Sequence, residues 1–442
     1  MMRREQHPVA VPREGAGCLG EGENGVPAVV YSIGAALDGG GIGSVAAQAV
    51  QGLVSRGCLQ RLLVLDGQGG PAQGQLVRFP SWLVTNRIAR HVIPDRARDR
   101  MYDGWAARHV GRCDVFYGWA HHSLRSLGVA RRQGAMTILD RGGVEAGAQR
   151  TLLEEECRLM GLPRGPMHPA EVRRAQAEYA ATDIIAVPSQ FVRDSFLAAG
   201  YPEHKLFLNP LGVDAGRFTP AEPPPDAFRV VFLGRVSLQK GILYLLQAWA
   251  KLRLTNAELL IVGPVEPVVR PLVLEAIRRA TPGSVRLCGP STQPERVLRQ
   301  ASVLVLPSVQ DGFGLVVLEA MAAGLPVIVS DHVGAKDCVR EGVDGFVVPM
   351  RDVDAIAERL AWLAADRGRG QQMGRKARRQ ALECSWDAYR ARLMGKVESL
   401  CGARGDGREV ARCGQMNLAV QGSSRGHAAG ETLSSRGDAV DE

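Results

Sequence analysis

Short, unbroken apolar runs recur along this chain, separated by longer stretches whose apolar residues fall on one helical face. The first half carries such runs at residues 28–33, 62–65, 114–117, 135–139, 183–187 and 206–208. The second carries them at 228–233, 258–262, 284–288, 302–306, 326–329 and 345–348. A run without in-and-out alternation is what a strand covered on both faces needs. Between the runs, residues 44–55, 151–160, 170–181, 190–199, 242–252 and 315–323 read as helices, with Gly200 and Gly324 placed as C-terminal stops. Strands alternating with helices predict an α/β chain built on parallel sheets. The stretch 220–225 (PAEPPP) interrupts the rhythm and reads as a linker. Two Rossmann-like domains facing across a cleft are therefore expected, at residues 27–217 and 218–384, followed by a last helix at 385–400. Residues 1–26 and 401–442 lack periodicity and are expected to be disordered tails.

The helix expected at 315–323 poses a physical question. Leu315, Val316, Val317, Leu318, Ala320, Met321, Ala322 and Ala323 make it apolar on every side, yet Glu319 sits among them. A carboxylate there is costly unless something hydrogen-bonds it. A structural ion pair would serve, and so would a ligand presenting hydroxyls, such as a ribose diol. Asp311 lies eight residues earlier, in a loop that can face a crevice. Between the two acids, Phe313, Gly314 and Leu315 place backbone N–H groups at a helix N-terminus, a natural anion site. Together these features suit a phosphorylated sugar nucleotide.

A second candidate anion site follows the run at 228–233. Arg235 and Lys240, five residues apart, stand in a loop that leads through Gly241 into an amphipathic helix. Two cations beside a helix N-terminus after a parallel strand can clamp a diphosphate; two exposed loop cations are the plainer account. In the first half, Gly41 to Ala46 spells G-x-G-x-x-A. A dinucleotide fingerprint would place its first glycine directly after the strand, whereas seven residues separate Ile33 from Gly41. A glycine loop arching over a ligand held by the other domain fits better.

Asp311 and Glu319, with seven residues between them, resemble the Glu-(seven residues)-Glu motif of retaining glycosyltransferases of family four, which have the two-Rossmann-domain GT-B architecture. The first acid is Asp here, one methylene shorter. Gly234-Arg235 through Lys240-Gly241 matches the family's G-R-x-x-x-x-K-G string. Asn209-Pro210-Leu211-Gly212-Val213-Asp214, with Phe218, matches the string that marks the crossing between domains. The resemblance spans residues 28–400. It implies a sugar moved from a nucleotide donor (UDP- or GDP-linked) to a hydroxyl of a sugar-bearing acceptor, whether glycan, lipid-linked or small molecule. It implies that Arg235 and Lys240 stabilise the leaving diphosphate, that Glu319 holds the ribose, and that Asp311 and the amides of Phe313, Gly314 and Leu315 hold the donor sugar. Gly41 and Gly43 would approach the donor phosphates, and the main chain around Cys288 would cradle the base. The family commonly carries a His after the strand corresponding to 135–139. None occurs between Asp140 and Arg150, so Asp140 or Arg141 takes that place, while His121 and His122 read as cap or surface chemistry. The last helix would pack back on the first domain. The resemblance implies no cofactor and no obligatory metal, and no Asp-x-Asp pair is expected to hold one. Three alternatives remain open: a nicotinamide oxidoreductase, a sugar-nucleotide epimerase of similar build, and a non-catalytic sugar-nucleotide binder.

Composition narrows the setting. The 442 residues suffice for two domains, and 45% apolar content marks a globular chain. No apolar run reaches the ~18 residues of a membrane span, and the N-terminus lacks the apolar segment of a secretory signal. Nine scattered cysteines without CxxC spacing point to reduced thiols in the cytoplasm, not to a disulfide frame or zinc. The net charge of +8 is carried mainly by arginine, without the aromatic interleaving of a nucleic-acid surface. Residues 87–112 hold seven arginines among Trp82, Ile88, Val92, Ile93, Met101 and Trp105. A solvated helix face or peripheral contact with an anionic membrane would both use them. Glu154, Glu155 and Glu156 read as a solvated face.

Overall fold

The computed structural model describes residues 26–37, 40–80, 93–163, 167–221 and 227–402. The expected tails, most of the 220–225 linker and the Trp82-to-Val92 part of the basic stretch lie outside them. Up to residue 397 the chain forms one compact unit carrying two parallel sheets.

The first sheet comprises β1 (Val29–Ala36), β2 (Leu59–Asp66), β3 (Leu76–Arg78), β4 (Val115–Trp119), β5 (Met136–Asp140), β6 (Ile184–Val187) and β7 (Leu206–Leu208), in the order β3-β2-β1-β4-β5-β6-β7. The second comprises β8 (Phe228–Leu233), β9 (Ala257–Val262), β10 (Val285–Gly289), β11 (Val303–Leu306), β12 (Val327–Ser330) and β13 (Gly345–Val348), in the order β10-β9-β8-β11-β12-β13. Strand order reverses between β1 and β4 and again between β8 and β11. Such reversals open crevices at the carboxyl ends of the strands, where ligands bind in sheets of this kind. The central strands are buried along their length, as their unbroken apolar runs require.

Several elements escaped the apolar pattern. β3 is a three-residue edge strand. Helix Asp95–His109 is mostly charged, and its buried residues include Asp103 itself. Helix Arg367–Glu383 is rich in arginine and glycine, but Met373, Ala377 and Ala381 recur every fourth residue and form its buried stripe. The run at 284–288 was expected to be covered on both faces, yet β10 is a sheet edge with Arg286, Leu287 and Cys288 exposed.

Two surface expectations are corrected. Glu156 is not on a solvated face: it is 1% exposed, accepts the Tyr244 hydroxyl at 2.8 Å, and accepts the Arg351 Nε–H at 2.9 Å, while Glu155 takes the same guanidinium at 3.1 Å. This knot joins helix Ala146–Leu159 of the first sheet to the second sheet's layer. His121 is not a surface group either. It lies at φ 75°, and its ring accepts an Arg141 N–H at 2.8 Å. Trp105, in the basic stretch, packs edge-on against Phe79 and beside His109.

The chain crosses between the sheets twice, side by side. Val213 pairs with Ser385 and donates its N–H to the Cys384 carbonyl at 2.9 Å. A Cβ on Gly212 would fall 2.4 Å from the Ser385 carbonyl carbon, so only glycine allows this approach. Residues 386–397 are helical and pack on the first sheet's layer. There Arg390 reaches Gln48 and Gln51, and Arg392 reaches Asn209 at 2.9 Å and the Pro210 carbonyl at 2.6 Å.

Candidate functional site

The second sheet builds its part of the site from the loops after β8 and β11, which flank its reversal. The short turn Leu238–Lys240 ends at Gly241, φ 65°, where a Cβ would fall 1.9 Å from the Pro307 carbonyl oxygen. That contact presses the Lys240 turn onto the loop after β11. The Gln239 carbonyl then accepts the N–H of Val309 at 2.9 Å and of Gln310 at 3.2 Å. The Lys240 ammonium forms an ion pair with Asp311 Oδ2, the latter residue being almost buried. Arg235 stays exposed and reaches Glu266 at 3.6 Å.

Gly314, at φ 85°, turns the chain into helix Leu315–Ala322. Among the described residues the N–H groups of Phe313, Gly314 and Leu315 donate to no protein acceptor, so three amides stand open beside the Lys240–Asp311 pair. One turn along the helix, Glu319 is half-buried, and its carboxylate makes no hydrogen bond among the described residues. Burial pushes its carboxyl up to about 7; nearby Arg217, itself paired with Glu295 at 2.9 Å, only partly opposes that shift.

The first sheet meets this assembly directly. A Cβ on Gly312 would fall 1.8 Å from the Gly142 carbonyl oxygen, and one on Gly143 would fall 3.3 Å from Gln310 Nε2. The Ser189 hydroxyl donates to the Gly312 carbonyl at 2.7 Å. Gln310 Oε1 accepts from Gln239 at 2.8 Å and from Gln149 at 3.3 Å, while its buried Nε2 has no partner among the described residues. Gly43 packs helix Ile42–Ser55 onto the end of β1, because a Cβ there would fall 2.4 Å from the Ala36 carbonyl oxygen. Gly41, at φ 68°, opens that helix, and Ile42 borders Gly142. Asp140 ends β5 half-buried. It accepts the Tyr117 hydroxyl at 2.9 Å, and burial pushes its carboxyl up to about 7 against that hydrogen bond.

Residues 227–366 match the family described as glycosyl transferases group 1. The D-inositol 3-phosphate glycosyltransferase of Streptomyces bingchenggensis is 35% identical over 208 residues, 42% of this chain and 46% of that protein. The GDP-mannose-dependent alpha-(1-6)-phosphatidylinositol monomannoside mannosyltransferase of Mycobacterium tuberculosis is 30% identical over 272 residues, 56% of this chain and 69% of that relative. This chain belongs to the group 1 glycosyltransferases. The matched part spans less than half the length of the first relative and just over two thirds of the second. Among solved structures, sucrose-phosphate synthase of Thermosynechococcus elongatus superposes with a TM-score of 0.67 at 20% identity, covering 86% of this chain and all of that one. Anabaena HepE in complex with UDP gives 0.61 at 16% identity, covering 84% of this chain and all of that one. The architecture is accordingly GT-B.

Within this glycosyltransferase the fold gathers Lys240, Asp311, Phe313, Gly314 and Leu315 at the second sheet's reversal, with Glu319 one helical turn away. It brings Gly41, Gly43 and Asp140 to the facing loops of the first sheet. Cys288 lies near the carboxyl end of edge strand β10, next to β9, with its side chain exposed and its thiol turned back to the Arg286 carbonyl at 3.7 Å. Arg141, the other residue at the place of the family's His, is committed to structure, donating to Val144, Gln149 and His121. An Asp-x-Asp pair does occur, contrary to expectation, at Asp352-Val353-Asp354. It caps helix Val353–Ala365, with Asp352 accepting the Ala355 N–H at 2.8 Å and Asp354 paired to Lys251. β1 runs on to Ala36, so the loop before Gly41 is shorter than the apolar run suggested but still separates glycine from strand. Gln149, Gln239 and Gln310 were missed. The available signal was position, since two of them directly precede Lys240 and Asp311.

Proposed function

We propose that this glycosyltransferase moves a sugar from a UDP- or GDP-linked donor to an acceptor hydroxyl, with retention of anomeric configuration and without an obligatory metal. The observation that carries the reading is the Lys240–Asp311 pair standing beside three unpaired backbone amides at the β8–β11 reversal. A donor diphosphate entering there takes over the Lys240 ammonium and meets the exposed Arg235 guanidinium. Asp311, released from Lys240, and the amides of Phe313 to Leu315 then face the donor sugar. Glu319 supplies acceptors for the ribose hydroxyls. Gly41 and Gly43 bring the first-domain loop to the phosphates, and Asp140 faces the sugar from β5. As the sugar–oxygen bond breaks, negative charge grows on the leaving diphosphate, and fixed cations stabilise that charge without transferring a proton.

The relative from Mycobacterium tuberculosis is named GDP-mannose-dependent, which favours a guanine nucleotide in the first tests. The deciding experiment is a thermal-shift panel of UDP- and GDP-sugars, followed by NMR of the product's anomeric centre. Stabilisation by one nucleotide sugar and a retained anomer are the expected results. No stabilisation by any nucleotide sugar overturns the donor assignment, and an inverted product overturns retention. Turnover of the donor without an acceptor product would favour the epimerase reading.

A further inference from the structure

Three tyrosines converge on Asp140, the last residue of β5: Tyr31 and Tyr117, paired side by side within β1 and β4, and Tyr389. Tyr117 of β4 donates its hydroxyl to Asp140 Oδ2 at 2.9 Å. Tyr31 of β1 packs edge-on against Tyr117, with ring centroids 5.0 Å apart, and accepts the Trp119 indole N–H at 2.7 Å. Tyr389, delivered by the helix at 386–397, is buried close enough to act on both Tyr117 and Asp140. The other Asp140 oxygen takes no hydrogen bond among the described residues and is not one of the fully buried polar atoms, the residue being half-buried. Among the described residues, the titratable groups that act on Asp140 are the phenols of Tyr31, Tyr117 and Tyr389. Arg141, its neighbour in sequence, spends its guanidinium on Val144, Gln149 and His121. The carboxylate thus has one oxygen fixed, one free, and no counter-charge.

We propose that Tyr117 is a positioning residue for sugar transfer: it fixes one oxygen of an ionised Asp140 so that the other accepts a hydrogen bond from a donor-sugar hydroxyl. The proposal rests on the reading of Asp140 as donor-facing given above. The burial that the three phenols impose disfavours the anion, and Asp140 titrates near 7. The Tyr117 hydroxyl works the other way, because a hydrogen bond donated to a carboxylate favours its charged form. Removing that donor must raise the Asp140 pKa, so the ionised fraction at neutral pH falls. Tyr389 adds a structural consequence: the element that crosses back from the second domain completes the wall around Asp140.

The test is Tyr117→Phe, which keeps the ring and its packing, with Asp140→Asn as control. The pH dependence of kcat/KM for donor reports ionisations of the free enzyme. Carbon-13 NMR of labelled aspartate, assigned with Asp140→Asn, reports the Asp140 titration whether or not the enzyme turns over. In Tyr117→Phe both the acid limb of kcat/KM and the Asp140 titration should move up by about one pH unit, with activity recovering at higher pH. Asp140→Asn should abolish the limb. An unmoved Asp140 titration overturns the role of Tyr117. A shifted titration with an unmoved limb overturns the role of the Asp140 anion. A protein that binds no nucleotide sugar at any pH refutes the transferase reading itself, and the NMR titration still judges the Tyr117–Asp140 coupling separately.

Discussion

Glu319 and Glu178 are both carboxylates that burial pushes up to about 7, yet their surroundings differ in kind. Glu178 is fully buried and fully answered: it accepts the N–H groups of His121 and, at 2.9 Å, of Ser123, and it faces Arg174 at 3.6 Å. Arg174 in turn binds the buried Asp103 at 2.6 Å, and Asp103 accepts the N–H groups of Arg125 and Ser126. That closed network pins the loop after β4. Glu319 is half-buried, its carboxylate makes no hydrogen bond among the described residues, and it lies one turn from the open amides. A perturbed carboxyl is therefore ambiguous by itself. The hydrogen-bond inventory separates a finished structural network from a site still missing a partner.

The largest effect should come from breaking the finished network. Asp103→Ala takes one of two carboxylate partners from Arg174 and strands two backbone amides in a buried setting, and should cost about 3–5 kcal/mol in urea-unfolding stability. Donor affinity per folded molecule should stay unchanged. A marginal loss of stability would mean that water replaces the carboxylate, and the network would then not be the closed structure described here.

Next comes Lys240, which belongs to the unfinished site. Its charge meets a leaving diphosphate more strongly than a bound one, so Lys240→Ala should lower single-turnover rates by about 2.7–4 kcal/mol at saturating donor. The same variant leaves Asp311 without its partner, but the site is open and the fold should survive. Lys240→Arg should recover little, since a planar fork does not replace a point charge. An unchanged rate with a raised Michaelis constant would make Lys240 a binding residue only.

The two regions also differ in how they could be read from the chain. The second-domain site is built from two locally legible strings, Arg235 to Gly241 and Asp311 to Glu319, each beside one strand end, although the Lys240–Asp311 pair that joins them spans 71 residues. The other networks have no such string at either end: Asp103 joins Arg174 71 residues away, and Tyr244 of the second domain joins Glu156 of the first, 88 residues away. No local pattern signals such pairs, so Glu156 looked like part of a solvated acidic run. Asp140 was found only through the family's missing His, and its tyrosine partners lie on β1, β4 and the far end of the chain. The same physics explains β10, whose composition is that of a covered strand but whose place at the sheet edge leaves it exposed.

Glu319→Gln sharpens the comparison at the site itself. An amide cannot accept two ribose hydroxyls as a carboxylate does, so donor affinity should weaken by about 1–3 kcal/mol in a calorimetric titration while the fold is kept. Glu178→Gln should leave donor affinity alone and lower stability instead. Equal behaviour of the two variants would erase the distinction drawn between them.

The smallest effect concerns stability against pH in the free protein. Glu319 titrates near 7 when folded and near ~4.3 when unfolded, so between those values the folded protein keeps a proton that the unfolded chain has released. Its contribution is therefore fully present below the unfolded value and is lost as pH rises through 7. Glu319→Gln removes that loss. Its melting temperature should fall less than that of the unmodified protein between pH 5 and pH 8, so the two curves should differ in slope. Saturating donor should shrink the difference, because ribose hydroxyls donate to the ionised carboxylate and pull its pKa down. Parallel curves for the free proteins would show that burial does not hold a proton on Glu319 across this range, and the carboxyl would then not be the unanswered group described here.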